Sequence, residues 1–264
     1  MTGDLGPVGE ALDRAIREAV SGKEVAVAFS GGLDSGTVAA ITKKYADEAT
    51  LYTVGSEGSH DVTESERSAK ELGMPWVCIK ITEGDIEEGL AEMIGITGTA
   101  DIVTLSFELP LFFVCRNCGE DEIIGGQGAD ELFAGYSKYI GLDGDELGEK
   151  MREDMDKLRN ITLPHEKKVS EHFGKKILYP FLDDSAVMAA AYANANMPAP
   201  TGDPLSRKRA VRDIAEAMGY EGIASMEKKA AQYGSGVMPM IKKICKKRNM
   251  TYSELIDALG RGDR

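Results

Sequence analysis

A short apolar run that ends in a glycine loop constrains this chain more than any other feature. Glu24–Phe29 (EVAVAF) reads as a buried strand, and it passes without a break into Ser30-Gly31-Gly32-Leu33-Asp34-Ser35 and a helical stretch to about Tyr45. The grammar repeats: Thr50–Val54 (TLYTV), Pro75–Ile81 (PWVCIKI) and Glu122–Gly125 (EIIG) are further strand patterns, separated by helical stretches around Glu83–Met93 and Asp101–Arg116. Strand and helix alternating in this way predict an α/β fold, a twisted parallel sheet with crossover helices on both faces. Gly6–Ser21 carries Val8, Leu12, Ile16 and Val20 on one helical stripe, and Asp61 with Glu64 reads as a capping box for a helix that ends at Leu72-Gly73. Beyond Tyr136 the pattern is helical, with no further strand. The expectation is one unit over residues 1–264: an α/β part to about residue 136 and a helical part over about 137–264.

Composition narrows the function classes. A 264-residue chain that is 42% hydrophobic can bury a substantial core, and its net charge of -13 repels polyphosphate backbones. Nucleic acid as the main partner is therefore disfavoured. No apolar run is long enough to span a membrane, and the N-terminal segment lacks a signal pattern, so the expected location is the cytoplasm. Four cysteines fit a reducing compartment rather than a disulfide scaffold.

The first glycine loop has a chemical reading. Its glycines let backbone approach an anion, and a helix start offers unpaired N–H groups and the positive end of a dipole. The hydroxyls of Ser30 and Ser35 are suited to donate to phosphate oxygens. Asp34 beside a phosphate would be repelled unless a hard cation lay between, so it reads as a Mg²⁺ ligand. No Gly-Lys-Ser/Thr follows, which excludes a Walker A loop. SGGLDS instead resembles the PP-loop of enzymes that cleave ATP between its α and β phosphates.

A second glycine loop, Gly126-Gln127-Gly128-Ala129-Asp130-Glu131-Leu132-Phe133-Ala134-Gly135-Tyr136, again follows a strand and opens a helix. Loops at the carboxyl ends of parallel strands converge on one crevice, so Asp34 and Asp130 are expected to share one Mg²⁺ on the pyrophosphate.

Together SGGLDS and GQGADELFAGY resemble the asparagine synthetase family, which includes β-lactam synthetases. Three later segments agree: Tyr179-Pro180-Phe181-Leu182-Asp183 is similar to the family's PFLD segment, Lys208 and Arg212 fit its K-x-x-apolar-R helix, and Lys228-Lys229-Ala230-Ala231-Gln232-Tyr233-Gly234-Ser235-Gly236 is similar to its catalytic lysine loop. The resemblance spans most of residues 6–236. It implies that Val54 and Gly55 contact adenine through the backbone, that Gly126 lies near the α-phosphate, and that Lys228 neutralises charge developing there, with Lys229 as the fallback. Residues Ser30, Gly31, Gly32, Leu33, Asp34 and Ser35 would hold ATP.

Departures from the family bear on substrate. The resemblance enters the synthetase half within ten residues of Met1, so the expected nitrogen source is ammonia, another amine or a separate glutaminase subunit. Gln127 replaces an ionisable residue of the family, and a neutral amide orients an amine but cannot take its proton. Leu178 and Met226 stand where the family has arginines, the natural clamps for carboxylate or phosphate. Cys115 and Cys118 form a CxxC at the end of a helix, on the far side of the sheet from the crevice, which favours a structural role. Lys242, Lys243, Lys246, Lys247 and Arg248, on a helix started by Pro239, read as a solvated face. His165 and His172 lack metal-ligand spacing and read as surface or substrate-gate residues.

The expected activity is ATP-dependent formation of an acyl-adenylate, with AMP and pyrophosphate as products, followed by attack of ammonia or an amine. Two alternatives stay open: a tRNA-modifying PP-loop enzyme, which should place cysteines at the ATP site, and a non-catalytic ATP-binding subunit. The oligomeric state is left open.

Overall fold

The computed structural model describes residues 4–183, 185–193, 200–227 and 231–262. Five strands, β1 (Glu24–Ala28), β2 (Glu48–Gly55), β3 (Trp76–Lys80), β4 (Glu122–Ile124) and β5 (Lys176–Leu178), form a sheet in the order β3-β2-β1-β4-β5. Every neighbouring pair is parallel. The first four are the apolar runs read from the sequence. The fifth corrects the expectation that no strand lies beyond Tyr136. Lys176-Ile177-Leu178 is too short to show a period of two; it is a strand because β4 pairs with it, Ile123 opposite Ile177 and Ile124 opposite Leu178.

The helices follow the chain as α1 (Gly6–Val20), α2 (Leu33–Tyr45), α3 (His60–Leu72), α4 (Glu83–Thr97), α5 (Ile102–Asn117) and the single turn α6 (Ala129–Leu132). The later ones are α7 (Gly144–Lys157), α8 (Leu163–His172), α9 (Ser185–Ala193), α10 (Arg209–Ala217), α11 (Glu221–Ala224), α12 (Ala231–Gly234), α13 (Val237–Arg248) and α14 (Tyr252–Arg261). Side chains alternate across a strand, so each sheet face builds its own core. Val25, Val27, Leu51, Ile124 and Leu178 pack on one face with α1, α2, α10 and α11. Ala26, Tyr52, Val54 and Ile123 pack on the other with α4, α5, α13 and α14. This is the doubly covered parallel sheet that the alternating pattern implied.

Two local expectations need correction. The N-cap of α3 is Ser59, with no side-chain cap bond, so the Asp61–Glu64 capping box does not form. Asp61 is drawn instead into a buried tertiary contact: a Cβ on Gly234 would lie 2.1 Å from its Oδ1. Helix α13 starts at Val237, two residues before Pro239, because Gly236 at φ 83° makes the turn that opens it. No single helix among the described residues is long and apolar enough to cross a membrane.

Strand order fixes where a site can form. From β1 the chain steps outward to β2 and β3, then returns to the other side of β1 as β4. The loops after β1 and β4 therefore diverge from a topological switch point, the place where open parallel sheets leave a crevice. Both glycine loops sit there.

Candidate active site

The first loop is shaped by a close approach as well as by its dihedral angles. Gly31 has φ 77°, and a Cβ there would lie 2.5 Å from Ser65 Cα on α3. The Gly31 carbonyl accepts a bond from Ser68 Oγ at 2.9 Å. Ser35 Oγ turns back to accept the Ser30 N–H at 3.3 Å and lies 3.2 Å from Ser30 Oγ. The first N–H groups of α2 have no intrahelical acceptor and no side-chain cap. The second loop rests directly on the first: a Cβ on Gly126 would come within 3.0 Å of the Asp34 and Ser35 backbone.

One cation ties the two loops together. Lys208 Nζ lies 2.6 Å from Asp34 Oδ2 and 3.0 Å from Asp130 Oδ1, and the residue is 3% exposed. Its backbone is in the left-handed region, φ 55°, and its N–H donates to Phe133 O at 3.2 Å. Four residues on, the buried guanidinium of Arg212 donates to the carbonyls of Arg207, Ala224, Met226 and Pro204. These bonds fix the segment that leads to the lysine loop. Both residues of the K-x-x-apolar-R pattern thus have a physical task.

A cavity of about 260 Å³ opens beside this cluster. Ser30, Gly32, Leu33, Asp34 and Ser35 line it, with Gly126, Gln127 and Asp130 from the second loop, and Val54 from the end of β2. Gly31 and Gly55 do not line it. Gly55 is packed under Ser59, Val62 and the Ser235 carbonyl, which also accepts the Ser56 N–H at 2.9 Å. The Gly234-Ser235-Gly236 turn is thereby seated on the end of β2. Lys228 and Lys229 lie outside the described residues; Met226, Glu227 and Ala231, on either side of them, line the cavity.

A group that the sequence did not announce completes the site. Glu166, on α8 and 5% exposed, accepts a bond from Gln127 Nε2 at 3.1 Å and another from the Tyr179 hydroxyl. Burial pushes its carboxyl up to about 7, with those two hydrogen bonds pulling the other way. Behind it, Glu108 on α5 is 2% exposed, with Oε1 3.3 Å from His165 Nδ1 and Oε2 buried without a hydrogen-bond partner. Burial, then the nearby Glu166 and Asp101, push Glu108 up to about 9. His165 is lowered by burial and by Lys168, so the Glu108–His165 pair is neutral near pH 7. His165 is thus a half-buried partner of Glu108, whereas His172 is half-exposed beside Glu92.

A family profile described as Asparagine synthase matches residues 7–145, and both glycine loops fall inside the match. The chain belongs to the asparagine synthase family. A Methanocaldococcus jannaschii protein provisionally named asparagine synthetase (glutamine-hydrolyzing) 1 is 29% identical over 297 aligned positions, covering 96% of this chain and 54% of the relative. Asparagine synthetase B (glutamine-hydrolyzing) of Escherichia coli strain K12 is 25% identical, covering 89% of this chain and 45% of its own length. The chain thus spans about half the length of these curated relatives. The solved NMN synthetase of Francisella tularensis aligns over 99% of this chain and 87% of its own at 14% identity, with a TM-score of 0.47.

The Mg²⁺ that the asparagine synthetase resemblance implies can be tested against these residues. Asp34 Oδ1 is buried and has no hydrogen-bond partner, while Lys208 holds Oδ2. Among the described residues no group of three His, Cys, Asp or Glu side chains is arranged to hold a metal. A site with one or two carboxylates that relies on substrate phosphates for its remaining ligands fits this donor set, as is usual for Mg²⁺. Asp34, with Asp130 beside it, would hold the ion.

The features set aside from sequence keep to the background. Cys115 and Cys118 are buried, burial raises both thiols, Cys115 to about 12, and neither lines the cavity. The α13 cations are partly neutralised by α4: Lys243 and Lys247 pair with Glu83 at 2.8 and 2.7 Å, and Arg248 with Glu87 at 2.8 Å.

Proposed function

We propose that this chain joins a carboxylic acid to ammonia or an amine through an acyl-adenylate. A carboxylate oxygen attacks the α-phosphorus of ATP and the bond to the bridging α–β oxygen breaks, releasing pyrophosphate. The amine nitrogen then attacks the acyl carbon, AMP leaves with the electron pair of the broken C–O bond, and the amine gives up one proton. The first-turn N–H groups of α2, with Lys208, face the departing pyrophosphate, where negative charge accumulates. Mg²⁺, when bound at Asp34 and Asp130, supplies further charge neutralisation on the phosphates.

Gln127 cannot accept the proton, but the carboxyl it hydrogen-bonds can. Glu166 is the assigned proton acceptor of the amide-forming step, held in place by Gln127 and Tyr179. Its poise near neutrality suits that role. Lys228 is assigned to the α-phosphate by its motif.

The observation that carries this reading is the pair of glycine loops joined at the switch point by the Asp34–Lys208–Asp130 bridge. The test is carboxylate-dependent exchange of labelled pyrophosphate into ATP with Mg²⁺ present and no amine. Asp130→Asn and Asp34→Asn should each lower exchange at least 100-fold. Unimpaired exchange in either variant would remove the assignment of these carboxylates.

A further inference from the structure

We infer that the acid activated here is a monocarboxylate with an apolar body, not a dicarboxylic amino acid; the inference rests on the reaction proposed above. Two chemically different groups of residues line the cavity. One is the polar cluster of glycine loops, carboxylates and Lys208. The other lies along α5, where Phe107, Pro110, Leu111 and Val114 line it at helical spacing. Ala28 and Ile177, from the sheet face that packs toward α5, also line the cavity. A carboxylate placed for attack beside the glycine loops would lay the rest of its molecule along this wall.

Besides Tyr52, whose hydroxyl donates to Glu120 at 2.9 Å, the ionisable side chains that line the cavity near this wall are Glu166 and Tyr179. Both are hydrogen-bonded to each other, and Glu166 carries negative rather than positive charge when ionised. The described basic residues of the lining are committed elsewhere. Lys208 sits between two aspartates, Arg212 is spent on four backbone carbonyls, and His60 lies 3.3 Å from Asp61 beyond the end of β2. Arg67 touches the Met226 sulfur but pairs with Glu64 at 2.8 Å and does not line the cavity. Of the two family arginine positions, Leu178 packs into the core on the opposite sheet face, and Met226 brings a thioether to the cavity. A second carboxylate on the substrate would therefore lie against apolar side chains and beside the carboxyl of Glu166. An unpaired charge in such a place is strongly disfavoured. An aliphatic or aryl body is instead matched by the wall.

The experiment is pyrophosphate exchange with the full chain, ATP and Mg²⁺, comparing 3-methylbutanoate, 4-methylpentanoate and phenylacetate with L-aspartate, L-glutamate and succinate. At least one apolar acid should give a kcat/KM tenfold or more above every diacid. Aspartate or glutamate equalling the apolar acids would overturn the inference and leave adenylation standing. No exchange with any acid, with ATP binding intact by calorimetry, would overturn adenylation and the inference with it. Leu111→Lys adds a cation to the wall: exchange with the preferred apolar acid should fall at least tenfold and the ratio should shift toward diacids. ATP affinity, measured on the same variant, reports that the fold is kept. Unchanged selectivity in that folded variant would mean that α5 does not face the acid, and would also overturn the inference.

Discussion

Lys208 holds a left-handed backbone and a buried ammonium between two carboxylates, two costs that an ordinary surface lysine does not bear. Breaking a buried ion pair from one side leaves charge uncompensated, typically worth about 3–5 kcal/mol. Lys208→Met should accordingly unfold at a lower temperature than the parent, with Asp34 and Asp130 now facing each other. Added Mg²⁺ should restore much of the lost stability, since a divalent ion replaces the missing charge. Thermal unfolding with and without Mg²⁺ checks this; a variant as stable as the parent without metal would show that the bridge contributes little. Glu166 makes a different kind of prediction. A base with its carboxyl near 7 must be deprotonated to act, so kcat/KM for amide formation should rise as pH increases through about 7 and then level off. Glu166→Gln should lower amide formation at least 100-fold and abolish that rise, while pyrophosphate exchange stays within a few-fold of the parent. Equal loss in both half-reactions would make Glu166 a structural support of the site instead.

At the scale of elements, the glycine loops show why some of the site was legible and some was not. A short, mostly apolar strand, a glycine turn and a helix form one continuous stretch, so Ser30–Ser35 and Gly126–Asp130 could be placed at strand ends before any contact was known. Lys208 comes 174 residues after Asp34, and Glu166 comes 39 after Gln127. Nothing local in LPHEKK marks a catalytic cluster, and Lys208 in PLSRKRAVR stands out only through a family resemblance; the packing of α8 and α10 brings these side chains in. Strand β5 was hidden for the same reason, since its three residues owe their conformation to β4. The two loop glycines should also differ in what they tolerate. Gly31→Ala meets both a positive φ, a strain of roughly 1–3 kcal/mol, and the backbone of α3 at 2.5 Å. It is expected to lower the unfolding temperature and to lose ATP binding. Gly126→Ala meets only 3.0 Å contacts and needs no unusual dihedral, so its fold should survive while the loops separate slightly. Calorimetry should then find ATP binding weakened about tenfold, and an affinity equal to the parent's would mean that the two loops need not touch.

For the molecule as a whole, the acids gathered behind the site make stability depend on pH in an unusual direction. Glu108 and Glu131 are raised above the ordinary carboxylate range by burial, and so is Glu166. Each binds its proton more tightly folded than unfolded. Between the ordinary range and the raised value, the folded state therefore holds more protons, and stability falls as pH rises. Glu108, raised to about 9, extends this loss beyond pH 7. His165 works in the opposite sense, but its lowered value confines that contribution to below about pH 6.5. From pH 7 to 8.5 the unfolding temperature should accordingly decline. Glu108→Gln keeps a hydrogen-bonding partner for His165 and removes the group that would have to ionise. It should flatten the decline and leave the variant more stable than the parent at pH 8.5, by several degrees in thermal unfolding. A variant that declines in parallel with the parent would place the titration elsewhere, and the buried Glu108 carboxyl would then be ionised and compensated rather than held neutral.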